Sequence, residues 1–242
     1  EISMIDYGGG SGFLSMLAKE IGIKQVIYID INPDSVQTIG VLKQKTGIGP
    51  DVILHGDSDF LMDWCKKNAV LPQLLVATDL IEHVYDLNLF FDNLMRINNQ
   101  MQMVFSTASN PCNPFTRRKL HKMMLNCEQA KDRINFVTLR QQYILKEFPE
   151  MGEQKALEWS KKTRGLKYED IKKAVEHNTA PVLTDKYNTC NPLDGSWAER
   201  ILPIKTYRNL LKNRGYILEV TNLCYYRNNK NIFIYFLLGL VN

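Results

Sequence analysis

The sequence predicts an α/β fold on a seven-stranded, mostly parallel sheet, with a helical insertion after the fifth strand and an antiparallel hairpin at the C-terminus. Three observations carry this. An apolar run at 2–5 empties into Asp6-Tyr7-Gly8-Gly9-Gly10-Ser11-Gly12 and restarts with a helical pattern. Four more short apolar runs follow as far as residue 113, each closing on a polar tip and each separated from the next by a helical stretch. The last two apolar runs are joined only by Asn228-Asn229-Lys230-Asn231, a link too short for a crossover helix, so they are expected to be antiparallel neighbours.

Each element has its own reason. Glycines at 8, 10 and 12 remove the Cβ atoms that would keep the backbone from a ligand, while the first N–H groups of the next helix point at the same place. The second strand, 25–29 (QVIYI), ends in Asp30 and Ile31, and Asn32-Pro33-Asp34-Ser35 then starts a helix with Pro near its first position. An acid at that tip suits two ribose hydroxyls, a placement that NAD enzymes share. The third strand, 51–55, closes on Gly56-Asp57, a carboxylate suited to an adenine amino group. The fourth, 73–78, closes on Asp79-Leu80-Ile81-Glu82-His83-Val84, and the fifth, 101–107, on Ala108-Ser109-Asn110-Pro111.

After Pro114 the alternation stops. Residues 115–180 read as successive helices, with Leu120, Met123, Met124 and Cys127 on one stripe, Ala156, Trp159 and Ser160 on a second, and a third helix from Tyr168. Residues 183–200 turn loop-like, with Pro192 and Gly195 as breakers. A helix at 203–213, a stop at Gly215, a strand at 216–221 and a last strand from Ile232 complete the pattern. The chain is thereby divided into a binding half at 1–113, a helical insertion at 114–200 and a return to the core at 201–242.

These residues resemble the class I S-adenosylmethionine-dependent methyltransferases, whose Rossmann-like domain carries the Asp-x-Gly-x-Gly-x-Gly form of the first motif. The likeness spans 2 to about 112 and resumes near 201. It implies S-adenosyl-L-methionine as cofactor, with Asp6, Gly8, Gly9, Gly10 and Gly12 at its amino-acid end, Asp30 and Ile31 at the ribose, Asp57 and Ser58 at the adenine, and Asp79 at the fourth tip. The segment 78–84 looks like the fourth motif of ubiquinone-pathway O-methyltransferases. That family has a helix before the first strand, whereas here the strand begins at once, so an N-terminal segment is expected to be missing from this sequence.

Composition agrees with a globular enzyme: 242 residues at 45% hydrophobic content can bury a large core. Five cysteines (65, 112, 127, 190 and 224) have no CxxC spacing, which favours reduced thiols in a cytoplasmic protein. No signal peptide precedes the first motif, and the most apolar run, 232–241, is half the length of a membrane helix. Residues 1–113 hold 7 Lys+Arg against 13 Asp+Glu, so the remainder carries a net +10. Either the basic part faces an anionic partner or its Lys and Arg pairs are solvated helix faces; the absence of interleaved aromatics favours the second, and nucleic acid is not favoured.

Methyl transfer asks for an aligned nucleophile, exclusion of water and sometimes removal of a proton. Asp79, Glu82 and His83 are the candidates for that proton, although Glu82 and His83 also suit a purely anchoring role. The Asp-x-x-Glu-His spacing resembles the Glu-x-x-Glu-His of magnesium-dependent small-RNA 2′-O-methyltransferases. Asp replaces the first Glu here, and only His121 and His177 are left to supply that family's last ligand, so no metal is expected. Trp197, within Asp194-Gly195-Ser196-Trp197-Ala198-Glu199-Arg200, reads either as a lid or as a plug, with Tyr187, Asn188, Asn191 and Arg200 at the same mouth. The reading is a methyltransferase acting on a hydroxyl of a small molecule or glycan. The alternatives are an NAD-dependent oxidoreductase and a non-catalytic domain of the same fold.

Overall fold

Parallel pairing of five strands, in the order β3-β2-β1-β4-β5, builds the sheet. The computed structural model describes residues 2–131, 134–183 and 185–221. The strands are β1 (Ser3–Tyr7), β2 (Gln25–Asp30), β3 (Val52–His55), β4 (Leu74–Thr78) and β5 (Gln102–Ser106), joined by α1 (Phe13–Glu20), α2 (Pro33–Thr46), α3 (Ser58–Asn68) and α4 (Leu87–Ile97). Strand alternation assigns the two faces. Met4 and Val26 pack with Ala18 of α1 on one side, whereas Ile5, Ile27 and Ile29 pack with Leu61 and Cys65 of α3 and with Phe90, Phe91 and Leu94 of α4. Chain direction reverses its march across the sheet between β1 and β4, and in such sheets ligands bind outside the carboxyl ends of the strands at that point.

Sequence explains where the helices begin. Asn32, Asp57, Asp86 and Asn113 each place a side-chain oxygen on the first-turn N–H groups of the helix that follows. α1 has no such cap, because Gly12 stands at its N-cap in the left-handed region (φ 79°). The insertion forms α5 (Pro114–Gln129), α6 (Phe136–Glu147), α7 (Glu153–Lys162) and α8 (Tyr168–Glu176). Ile144, Ala156, Trp159 and Ile171 make a core of their own there. Leu120 and Met124 of α5 are buried as its stripe predicts, but Met123 is exposed. α9 (Ile204–Lys212) returns to the sheet, where Leu211 joins the larger core.

Two expectations about the sheet need correction. It has five strands among the described residues and not seven, and residues 216–221 have no strand pairing among them. The partner expected for 216–221, the strand from Ile232, lies outside the described residues together with the 228–231 link and Cys224. The antiparallel hairpin is therefore not part of the sheet described. No helix among the described residues is long and apolar enough to cross a membrane.

Candidate functional site

The glycine turn is built from three glycines that the protein itself crowds and one that it leaves open. A Cβ on Gly8 would strike Leu80 Cδ1 at 2.1 Å, one on Gly9 the Tyr28 ring at 2.5 Å, and one on Gly12 Ile39 Cδ1 at 2.2 Å, whereas one on Gly10 would meet nothing within 4 Å. Gly10 is therefore where the backbone lies open to a ligand. The turn is held in place around it: the Tyr28 hydroxyl donates to the Gly10 carbonyl at 2.7 Å, and the Gly10 N–H donates to Asp30 Oδ2 at 2.9 Å. Asp30 Oδ1 accepts from the Asn32 N–H at 2.8 Å. Each Asp30 oxygen keeps a further lone pair, so a ribose diol can still be received.

Asp6 lies beneath the turn at 2% exposure and accepts from the Ser15 hydroxyl of α1 at 2.6 Å. Burial raises its pKa, and the Ser15 hydrogen bonds pull only part of the way back. Next to Asp30, Ile31 is 62% exposed at the strand tip, an apolar surface of the kind a base ring covers. Asp57 caps α3 with Oδ1, accepting from the N–H groups of Asp59 and Phe60. Ser58 is buried and accepts from Asn93 Nδ2 of α4 at 3.1 Å, so it braces α3 against α4. Asp79 is exposed at the tip of β4 and adopts φ 49°. Asp6, Gly10, Asp30, Ile31, Asp57 and Asp79 thus line the carboxyl ends of β1 to β4.

Beyond Asp79 the chain folds back in a turn that brings Glu82 and His83 against the far end of the insertion loop. The Arg200 N–H donates to the Glu82 carbonyl and the Trp197 N–H to the His83 carbonyl, each at 3.1 Å. His83 returns a bond, its Nδ1–H donating to the Trp197 carbonyl at 2.6 Å. That bond places a proton on Nδ1, so that in the neutral ring Nε2 carries the lone pair; it lies 3.9 Å from Glu199 Oε1. Glu82 Oε1 accepts from the Thr107 hydroxyl at 2.6 Å, and Glu199 Oε2 from the Ser109 hydroxyl at 2.8 Å. Burial raises the Glu82 pKa and Glu199 adds to the rise, while Thr107 and His83 act against it. Glu199, like Asp79, adopts a left-handed backbone (φ 68°), a region that favours glycine.

Trp197 is fastened in this loop. Its indole N–H donates to the Tyr85 carbonyl at 3.2 Å, its ring stacks on Tyr85 with centroids 6.3 Å apart, and the Arg200 guanidinium lies over the ring at 4.3 Å. Tyr85 in turn donates its hydroxyl to Asp170 of α8 at 2.8 Å. Together Trp197, Tyr85, Arg200, Asp86 and Leu202 line a cavity of about 460 Å³. Tyr187 lies elsewhere, stacked on His121 at 3.8 Å in a second cavity with Arg117 and Arg118. Asn188 is engaged with the Ile201 backbone through both its amide atoms, and Asn191 accepts from the Leu193 N–H. The expected single mouth is therefore two. Residues that the sequence did not single out do much of the positioning: Ser15, Tyr28, Tyr85, Thr107, Ser109 and Glu199.

The geometry fits an adenosyl cofactor with an amino-acid tail. An open glycine and the uncapped N-terminus of α1 lie together at the tip of β1, and an acid with spare lone pairs stands beside them at the tip of β2. No protein-family model matches the chain. Among curated proteins it is similar to the ribosomal protein L11 methyltransferase of Vibrio vulnificus, 26% identical over 121 residues that cover 49% of this chain and 39% of the relative. That of Burkholderia orbicola is 34% identical over 88 residues, covering 34% and 28%. The chain spans less than two fifths of the length of these curated relatives. Among solved structures, a ribosomal protein L11 methylase from Lactobacillus delbrueckii subsp. bulgaricus is 23% identical with a TM-score of 0.33, covering 53% of this chain and 61% of that one. The curated relatives are named for a ribosomal protein, which overturns the expectation of a small-molecule or glycan acceptor.

Proposed function

We propose that this chain is an S-adenosylmethionine-dependent methyltransferase whose acceptor is a group on a protein. The observation that supports it most is the glycine turn at the strand tips, where Gly10 is the one position of the turn with open space and Asp30 stands beside it. When bound, the cofactor supplies an electrophilic methyl group on a sulfonium. The chain's part is to hold and orient: Asp6, Gly8, Gly9, Gly10 and Gly12 at the amino-acid end, Asp30 and Ile31 at the ribose, and Asp57 and Ser58 at the adenine. Asp79, Glu82 and His83 form the acceptor side. His83 Nε2 offers a lone pair there to the acceptor's proton, and Glu82 and Thr107 keep the turn that carries it in register. The insertion at 114–200 stands over this side through Tyr85 and Trp197 and is the part that meets the acceptor.

Relatives named for a ribosomal protein support a protein acceptor, and a side-chain ammonium would lose a proton before its nitrogen lone pair attacks the methyl group. The test is calorimetric titration of the chain with S-adenosylhomocysteine and, separately, with NAD. Saturable heat with the first alone is expected. Saturable heat with NAD and none with S-adenosylhomocysteine would sink the reading in favour of an oxidoreductase.

A further inference from the structure

Glu82, His83 and Glu199 each bring one ligand atom to a common point, all within 4.8 Å of one another. We propose that these three residues bind a divalent first-row metal ion, Zn²⁺ or Mn²⁺ in character. The orientation of each side chain is set by its other polar atom. His83 spends Nδ1–H on the Trp197 carbonyl and leaves Nε2 bare. Glu199 spends Oε2 on the Ser109 hydroxyl and turns Oε1 towards that same Nε2, at 3.9 Å. Glu82 spends Oε1 on Thr107, and its Oε2 is buried with no hydrogen-bond partner among the described residues. An imidazole nitrogen facing one carboxylate, beside an orphaned oxygen of another that is 1% exposed, becomes with the neutral ring a set of acceptors that lacks its cation.

Outer partners that fix the tautomer and aim the carboxylates are the usual support of a metal site. Trp197, Thr107 and Ser109 supply them here. Neither carboxylate has a Lys or Arg ion-pair partner among the described residues; the ion-pair contact of Glu199 is with His83. One nitrogen and two oxygens are too few for calcium, which takes about 6–8 oxygens. They suit an ion with three protein ligands and open positions for water or substrate. Metal bonds of about 2.0–2.2 Å bring ligands about 3–3.5 Å apart, so a bound ion would draw these three side chains closer than they stand here.

The spacing at 79–83 argued against a metal because it left the last ligand unplaced. The structure offers a different third ligand, Glu199, and omits Asp79 from the set. His121 is stacked on Tyr187 and His177 is exposed, its Nδ1 on the Lys173 carbonyl. The use of the ion on the acceptor side, where it would hold the acceptor's heteroatom and replace His83 as its partner, rests on the methyltransferase reading.

Full-length chain stripped with a chelator is titrated with Mn²⁺, following loss of the free-ion electron paramagnetic resonance signal, and with Zn²⁺ by calorimetry. One equivalent per chain is expected, weakened at least tenfold by Glu199→Gln, which keeps an acceptor for Ser109, and by His83→Ala, with circular dichroism checking the fold of each. If His83→Ala unfolds, Glu199→Gln decides. Absence of saturable uptake of either ion, or uptake that Glu199→Gln leaves unchanged, overturns the site. S-adenosylhomocysteine titrated into the same sample separates the two ideas. Metal uptake without its binding would overturn the methyltransferase reading and keep the metal, whereas its binding without metal uptake would overturn the metal alone.

Discussion

At the scale of single residues, Asp30 and Asp6 make opposite predictions although both are acids under one turn. Asp30 already holds the Gly10 and Asn32 N–H groups, so Asp30→Ala loosens the turn as well as losing the ribose acceptors. Charge-assisted hydrogen bonds of this kind contribute roughly 1.5–3 kcal/mol each, and S-adenosylhomocysteine affinity is expected to fall at least tenfold. Unchanged affinity by calorimetry would remove Asp30 from the site. Gly10→Val fills the one open Cβ position at a backbone angle (φ 53°) that valine resists, so cofactor binding should be lost. For Asp6 the burial-raised pKa means the folded state holds the proton more tightly than the unfolded chain. Its contribution to stability is therefore full below the ordinary carboxylate pKa and is lost as pH rises through the raised value. Asp6→Asn keeps an oxygen for Ser15 and should flatten the loss of stability between the ordinary carboxylate range and neutrality, while weakening the cofactor's amino-acid end. Thermal melts across that range check it; an unaltered pH slope would show that Asp6 titrates normally.

Elements were legible where one periodicity governed them. The five runs read as strands lie within a residue or two of β1 to β5, and α8 begins at the predicted Tyr168, since burial of every other residue or every third to fourth is written in local order. What escaped was whatever depends on residues far apart in sequence. Glu199 meets His83 only because the 197–200 strip is bonded to the 82–83 turn. The split of Tyr187 from Trp197 into two cavities has no local signature either. The buried pair that braces the insertion was equally invisible. Arg140 of α6 is fully buried against Glu128 of α5, which also accepts from Thr189, while Arg140 Nε donates to the Ser160 carbonyl at 2.7 Å. Removing one partner leaves the other charge buried and unpaired, a cost of about 3–5 kcal/mol. Glu128→Gln should therefore destabilise the insertion by an amount in that range in urea titration and leave S-adenosylhomocysteine affinity as it was. Loss of cofactor binding in that variant would mean that the insertion shapes the groove as well as covering it.

Across the whole molecule, the sheet and the insertion carry separate hydrophobic cores, joined by few but specific contacts. The sheet's cluster gathers residues from β1 to β4 and from α3, α4 and α9, whereas the insertion's rests on four buried residues of α6, α7 and α8. The joints are polar or aromatic: Tyr85 to Asp170, Trp197 to Tyr85, Ser109 to Glu199. A core that small contributes less burial per ordered residue, so the insertion should melt first and calorimetry should resolve two overlapping transitions. The residues proposed to hold the cofactor stand at the tips of β1 to β4, so a ligand there stabilises the sheet. S-adenosylhomocysteine at a hundredfold its Kd adds about 2.7 kcal/mol to the folded state that binds it. The later transition should move up by the corresponding amount while the earlier one stays. If both move together, the 197–200 strip transmits cofactor occupancy to the insertion, and the acceptor's binding surface would then be assembled only on the loaded enzyme.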